Sequence, residues 1–157
     1  MSQFTIRVYG ILQDPALGIL VSDEWIRQDR FTKFPGGGLE FGEGTRDCLK
    51  REFLEEMNLS VSVEEHIYTT DYFQISAFNP AHQILSIYYA VRALEPIGIT
   101  LKTKAFDFDE REVALYHQHQ QIESFRFIHW SDFGPEVMSL PIDKMVAAQL
   151  QERKSIS

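Results

Sequence analysis

Cysteine is almost missing: Cys48 is the only one in 157 residues, which excludes an intrachain disulfide and a cysteine-built zinc site. Long apolar runs are missing as well. None approaches the roughly 20 residues a bilayer crossing needs. In the opening Met1-Ser2-Gln3-Phe4-Thr5-Ile6-Arg7, Arg7 falls where a signal peptide requires an unbroken apolar core. The expectation is a soluble, cytoplasmic protein with no membrane partner. Positive charge is scarce too, with 15 Lys and Arg against 23 Asp and Glu and a formal net charge of −8. That field repels a nucleic-acid backbone, and no basic stripe reverses it locally, so a nucleic-acid polymer is excluded as partner. Phosphates remain accessible to such a protein where metal ions mediate the contact.

What is present is ordinary globular material, 44% hydrophobic and 24% charged. No repeat, low-complexity tract or long linker interrupts it, so residues 1–157 read as one domain able to bury about two-thirds of its unfolded surface. Residues 3–12 read as a strand that turns at Asp14-Pro15, with 17–21 as its hairpin partner. Residues 31–34 form a short extended piece entering Pro35-Gly36-Gly37-Gly38. The spacing predicts a helix over 45–57, with Thr45 as N-cap, Asp47 in the first turn, and Asn58 closing the end in the left-handed conformation. Leu49, Phe53 and Met57 give it a packing stripe, at whose edge Lys50 snorkels outward. Strands are expected at 61–70, 72–77, 84–94 and 122–130, with a turn at Asn79-Pro80, and a last helix over 142–152 after Pro141. Strands interleaved with two helices argue for an α/β fold, a helix–sheet–helix (α/β/α) sandwich with a mixed β-sheet.

The chemistry concentrates between Gly37 and Leu59. Glu52, Glu55 and Glu56 stand at i, i+3 and i+4, so at 100° per residue they share one arc of the helix. Like charges gathered there weaken the helix by a few tenths of a kcal/mol per pair. Hard divalent cations are what such oxygen clusters hold, and magnesium binds one or two carboxylates while sharing phosphate oxygens of a substrate. Gly36, Gly37 and Gly38 let the backbone come close to a bound group, and a carbonyl there adds another hard oxygen. Phe41-Gly42-Glu43-Gly44 leads directly into the helix, where Arg51 pairs with Glu43 across the junction or with Glu55 one turn on.

This pattern resembles the Nudix hydrolase family, whose signature is Gly, five residues, Glu, seven residues, Arg-Glu, an apolar residue, any residue, Glu-Glu, any residue, Gly and an apolar residue. Gly37, Glu43, Arg51, Glu52, Glu55 and Glu56 match it, with Phe53 and Leu59 at the apolar positions. Asn58 alone departs, standing where the family closes with glycine. Six matched identities at one register would arise by chance with probability on the order of 10⁻⁷. The resemblance covers about 23 residues directly.

The resemblance implies a hydrolase that cuts a diphosphate linkage in a small nucleoside diphosphate derivative, such as a nucleoside triphosphate or a nucleotide sugar. It implies Mg²⁺, with Mn²⁺ as substitute, held by Glu52, Glu55, Glu56 and the Gly37 carbonyl. Arg51 and Glu52 are expected in the catalytic set. For the base, some family members use a signature glutamate, here Glu52; others use a carboxylate outside it, before a late strand. Glu123 suits that second role, with Glu110 and Glu112 behind it. Gly36, Gly38 and His82, beside the Asn79-Pro80 turn, are expected against substrate. A homodimer fits the family's habits. The alternatives are a ligand-sensing module that keeps the fold without turnover, and an isomerase whose acid–base pair is not evident in the sequence. Substrate markers of known subfamilies are missing from 74–77, which read Gln-Ile-Ser-Ala. Phe73, Phe78, Tyr88 and Tyr89 serve either as core or as base-stacking groups. His117 and His119, two apart, would share a face on a strand. Cys48 reads as a small buried filler.

Overall fold

A computed structural model describes residues 2–156. The chain divides into two compact units, one made of residues 1–12 and 35–99, the other of 13–34 and 100–157. Strand β1 (Gln3–Asp14) gives its first ten residues to the first unit and its last two to the second.

The first unit is built on a mixed sheet. β1 pairs in parallel with β6 (His82–Ala93) from Gln3↔His82 through Leu12↔Val91. It pairs antiparallel with the three-residue strand β4 (Gly36–Gly38), Val8 opposite Gly37. β5 (Val61–Thr69) adds to the far edge of β6, antiparallel and with register shifts near His66. Helix α1 (Thr45–Met57) covers one face of this sheet. Phe53 sits over Gly10, where a Cβ would come within 2.7 Å of its ring. Leu49, Phe53 and Met57 are all buried, as their four-residue spacing requires. Burying such side chains contributes roughly 1.5–3 kcal/mol each.

The second unit carries an antiparallel sheet. β2 (Gly18–Ile26) lies between β3 (Asp29–Lys33) and β7 (Gln121–Ile128), and also pairs with Gln13 and Asp14 at the end of β1. α2 (Glu110–His119) and α3 (Pro141–Ile156) belong to this unit, with a short 3-10 turn at Pro135–Val137 between β7 and α3. Asp23 is fully buried in the sheet and is held by Arg126 at 2.6 Å and by the Thr32 hydroxyl at 2.7 Å.

The fold class is α/β with a mixed sheet, as the sequence predicts, and several local expectations need correction. Thr45 is not the N-cap: Gly44 takes that place with no side-chain bond, and the Thr45 hydroxyl instead meets the Tyr89 hydroxyl at 2.7 Å. Residues 72–77 do not form a strand; only Ile75 makes an isolated bridge, to Gln83. A third helix, α2, occupies 110–119, so His117 and His119 lie on a helix and not on one face of a strand. Gly36–Gly38 forms a paired strand, which the sequence did not predict. Among the described residues no helix is long and apolar enough to cross a membrane.

Candidate active site

Two elements of the first unit, β4 and α1, bring Gly37 and Glu52 together. Val8 opposite Gly37 points toward α1, and Gly37 does the same through the pairing of β4 with β1. A Cβ built at Gly37 would lie 2.5 Å from the carboxyl carbon of Glu52. Glycine is therefore needed there for room: any side chain would push the carboxylate off its seat. At Gly36 the reason is different. Its φ of 149° and the Val8 carbonyl, which stands where a Cβ would go, leave no place for an L side chain. Glu52 is largely sheltered, with 12% of its side chain exposed, whereas Glu55 one turn on is 59% exposed. Glu56 is half-buried on the same helix and is engaged in contacts of its own.

Arg51 organises the carboxylates. Its Nε donates to Glu43 Oε2 at 3.0 Å and its Nη2 to Glu43 Oε1 at 2.7 Å, a two-pronged pairing that suits the planar guanidinium. Nη2 also donates to the Gly38 carbonyl at 3.2 Å, tying the β4–α1 loop to the helix. The remaining nitrogen, Nη1, meets Glu52 Oε1 and Glu55 Oε2, each at 3.1 Å, with Glu40 farther off at 3.8 Å. Arg51 and then the Glu40 backbone N–H lower the Glu43 carboxyl from 4.5 to about 2. The same pairing raises Arg51 above its ordinary value. Burial first, then the neighbouring Glu43, pushes the Cys48 thiol up to about 12, which makes it an inert filler and not a nucleophile. Among the described residues no three acidic, histidine or cysteine side chains are gathered into a ready-made metal cage.

The family model described as NUDIX domain matches residues 3–137. The chain belongs to the NUDIX domain family. No curated protein sequence matches it significantly. Among solved structures it is similar to a MutT protein from Methanosarcina mazei Go1, at TM-score 0.66 and 11% identity, over 99% of this chain and 98% of that one. A NUDIX hydrolase from Nitrosomonas europaea matches at TM-score 0.67 and 15% identity, over 100% of this chain and 75% of its own. An ADP-ribose pyrophosphatase from Streptococcus suis matches at TM-score 0.57 and 16% identity, over 98% and 92%. At these identities the likeness establishes a shared fold.

The other residues singled out in this NUDIX chain are placed as follows. Gly38 meets nothing nearer than Arg7 Nη1, 4.0 Å from where its Cβ would be. His82 opens β6, where its Nδ1 bonds the Thr5 hydroxyl at 3.0 Å and its Nε2 faces the Asn79 amide at 3.2 Å, so both ring nitrogens hold the turn to β1. Glu123 is not a loop residue; it stands inside β7, where Lys33 donates to Oε2 at 3.2 Å and the Ser22 hydroxyl donates to the same oxygen. Glu112 completes a capping box with Asp109 and takes Lys102 at 2.7 Å, and Glu110 lies in the same first turn of α2. Tyr88 and Tyr89 are buried, while Phe73 and Phe78 are exposed by 69% and 50%. One participant escaped the sequence reading. Lys33 as partner of Glu123 had no spacing signal, because the contact joins residues 90 positions apart. The reach of Arg51 to several carboxylates at once was visible only as two alternatives.

Proposed function

We propose that this NUDIX chain is a metal-dependent hydrolase that cleaves the diphosphate linkage of a nucleoside diphosphate derivative, with magnesium as its normal ion and manganese as substitute. The observation that carries the reading is the seat of the Glu52 carboxylate against Gly37, on the helix face that also presents Glu55 and Glu56. The donor set fits the ion: carboxylates and a backbone carbonyl are the hard oxygens magnesium accepts. The space left by the missing Gly37 side chain brings one of those carboxylates up to the backbone of β4. Glu52, Glu55, Glu56 and the Gly37 carbonyl would hold the ion. When bound, a divalent ion offsets negative charge on phosphate oxygens and acidifies a water. This is also how a chain of net charge −8 accommodates a polyanion.

The chain's own groups do the rest. Arg51, locked to Glu43 and the Gly38 carbonyl, is held beside the Glu52 and Glu55 carboxylates. Glu52 is the base in this reading, sheltered enough to receive the proton of an attacking water without exchanging it with bulk solvent. Glu123 is the less suited of the two, since Lys33 and the Ser22 hydroxyl already occupy its Oε2 inside β7. Kinetics of two variants separate them: Glu52→Gln should lose activity, while Glu123→Gln should keep most of it. The inverse pattern would transfer the role.

The ADP-ribose pyrophosphatase and UDP-X diphosphatase names carried by structures of the same fold support the nucleoside diphosphate class. We extend the reading to one NUDIX domain over 1–157, of which residues 1 and 157 lie outside the described ones, and to a cytoplasmic protein acting on a small molecule. A homodimer belongs to the same proposal and is tested by sedimentation. The deciding experiment is a panel of nucleoside triphosphates, nucleotide sugars and other nucleoside diphosphate derivatives incubated with magnesium and scored for phosphate-containing products. Turnover of at least one, lost on chelation, is expected. Binding without turnover across the panel would overturn the assignment in favour of a ligand sensor.

A further inference from the structure

The contacts of Arg51 divide unequally. Glu43 receives two nitrogens, Nε and Nη2, in a parallel fork, and Nη2 is further tied to the Gly38 carbonyl. Glu52 and Glu55 share the single nitrogen Nη1, each at 3.1 Å. A planar guanidinium is rigid, so Nη1 cannot leave these two oxygens without breaking the fork, unless the glutamates themselves turn. Glu55 is free to turn because more than half of its side chain is in solvent, and the Glu52 carboxyl is seated in the space a Gly37 Cβ would take.

Nη1 therefore engages one oxygen of Glu52 and one of Glu55, two of the carboxylates that would hold the ion. Magnesium holds oxygens at about 2.0–2.1 Å and tolerates no ammonium-type donor between them. Resting on the metal reading above, we propose that Arg51 is a resident counter-cation of the ion site: it holds Glu52 and Glu55 when no ion is bound and yields them on ion entry, while Glu43 keeps it anchored. Arg51 is on this account a positioning residue whose charge competes with the ion. The carboxylates of α1 do not form a cage by themselves. Their mutual repulsion is relieved by one internal cation in place of an external one. Glu43, though part of the same acidic group, is assigned to the arginine and not to the ion.

The competing account makes Arg51 a simple staple for the loop, and the two predict opposite signs. Manganese binding to the full chain, read by the paramagnetic signal of the free ion, should tighten by about threefold to tenfold in Arg51→Gln, because a competing charge is removed. It should weaken in Glu43→Gln, which removes the charge of the fork and leaves Glu52 and Glu55 as the carboxylates nearest the guanidinium. A staple gives weaker binding in both variants, and that result overturns the proposal. Should Arg51→Gln fail to fold, the wild-type chain decides. On magnesium titration the guanidinium nitrogen resonances of Arg51 should show Nη1 released into fast rotation with Nε still protected. An unchanged guanidinium in a chain that binds the ion overturns the proposal equally. If the wild-type chain binds no manganese at all, the metal reading itself falls and this inference with it, whereas wild-type binding with no tightening in Arg51→Gln removes the inference alone.

Discussion

At the scale of single residues, charge decides most of what can be tested. Glu56 is half-buried on α1 and belongs to the proposed ion set. Several kcal/mol of charge stabilisation at about 1.36 kcal/mol per tenfold in rate implies that Glu56→Gln lowers turnover by roughly a hundredfold or more. Circular dichroism of the variant should be unchanged; near-normal activity would contradict the assignment. Glu43 makes a separate prediction about acid. Its folded carboxyl is held at about 2, below its ordinary 4.5, by Arg51 and the Glu40 N–H. A depressed acid stabilises the folded state at pH above its unfolded value, and that contribution fades as pH falls from about 4.5 toward 2. The melting temperature should therefore drop through that window, and Glu43→Gln, which cannot titrate, should flatten the drop. Residue identity and spacing disclosed the glutamates and Arg51. They did not disclose which partner each would take, because that depends on rotamers and on β4 being paired.

At the scale of elements, α1 was legible apart from its N-cap, which is Gly44 and not Thr45, and α2 was not seen at all. The difference is physical. α1 has a four-residue apolar stripe, an acidic first turn and an end at Asn58, whose φ of 49° confirms the left-handed closure read from the sequence. α2 buries only Tyr116, so periodicity gave no signal; its start was nonetheless written in Asp109 and Glu112, which form a capping box. Residues 72–77 erred the other way: aromatic and branched residues suggested a strand, but Phe73 and Ile75 face solvent and only one bridge forms. Two substitutions test the junctions around the site. Asn58→Ala loses the residue type that tolerates the left-handed region and should destabilise the chain by about 1 kcal/mol in urea denaturation. Gly37→Ala places a methyl against the Glu52 carboxylate and should weaken manganese binding and turnover together while leaving the melting temperature nearly unchanged. An alanine variant with full ion affinity would show that the seat of Glu52 is incidental.

At the scale of the whole molecule, the sequence disclosed the family through one 23-residue segment and the fold class through strands interleaved with helices, and the family model extends the recognition to residues 3–137. Composition limited the partners: a net charge of −8 in 157 residues leaves a polyphosphate substrate dependent on added positive charge. The choice among substrates was not legible, because residues 74–77, Gln-Ile-Ser-Ala, carry none of the known subfamily markers. Everything in the functional account passes through the ion at α1. A crystal grown with manganese and measured at the metal's absorption edge addresses it directly. The account predicts an anomalous peak within coordinating distance of Glu52 and Glu56, with Glu52 turned away from Arg51. Strong anomalous signal elsewhere and none there, with Glu52 and Glu55 still bonded to Arg51, would contradict it.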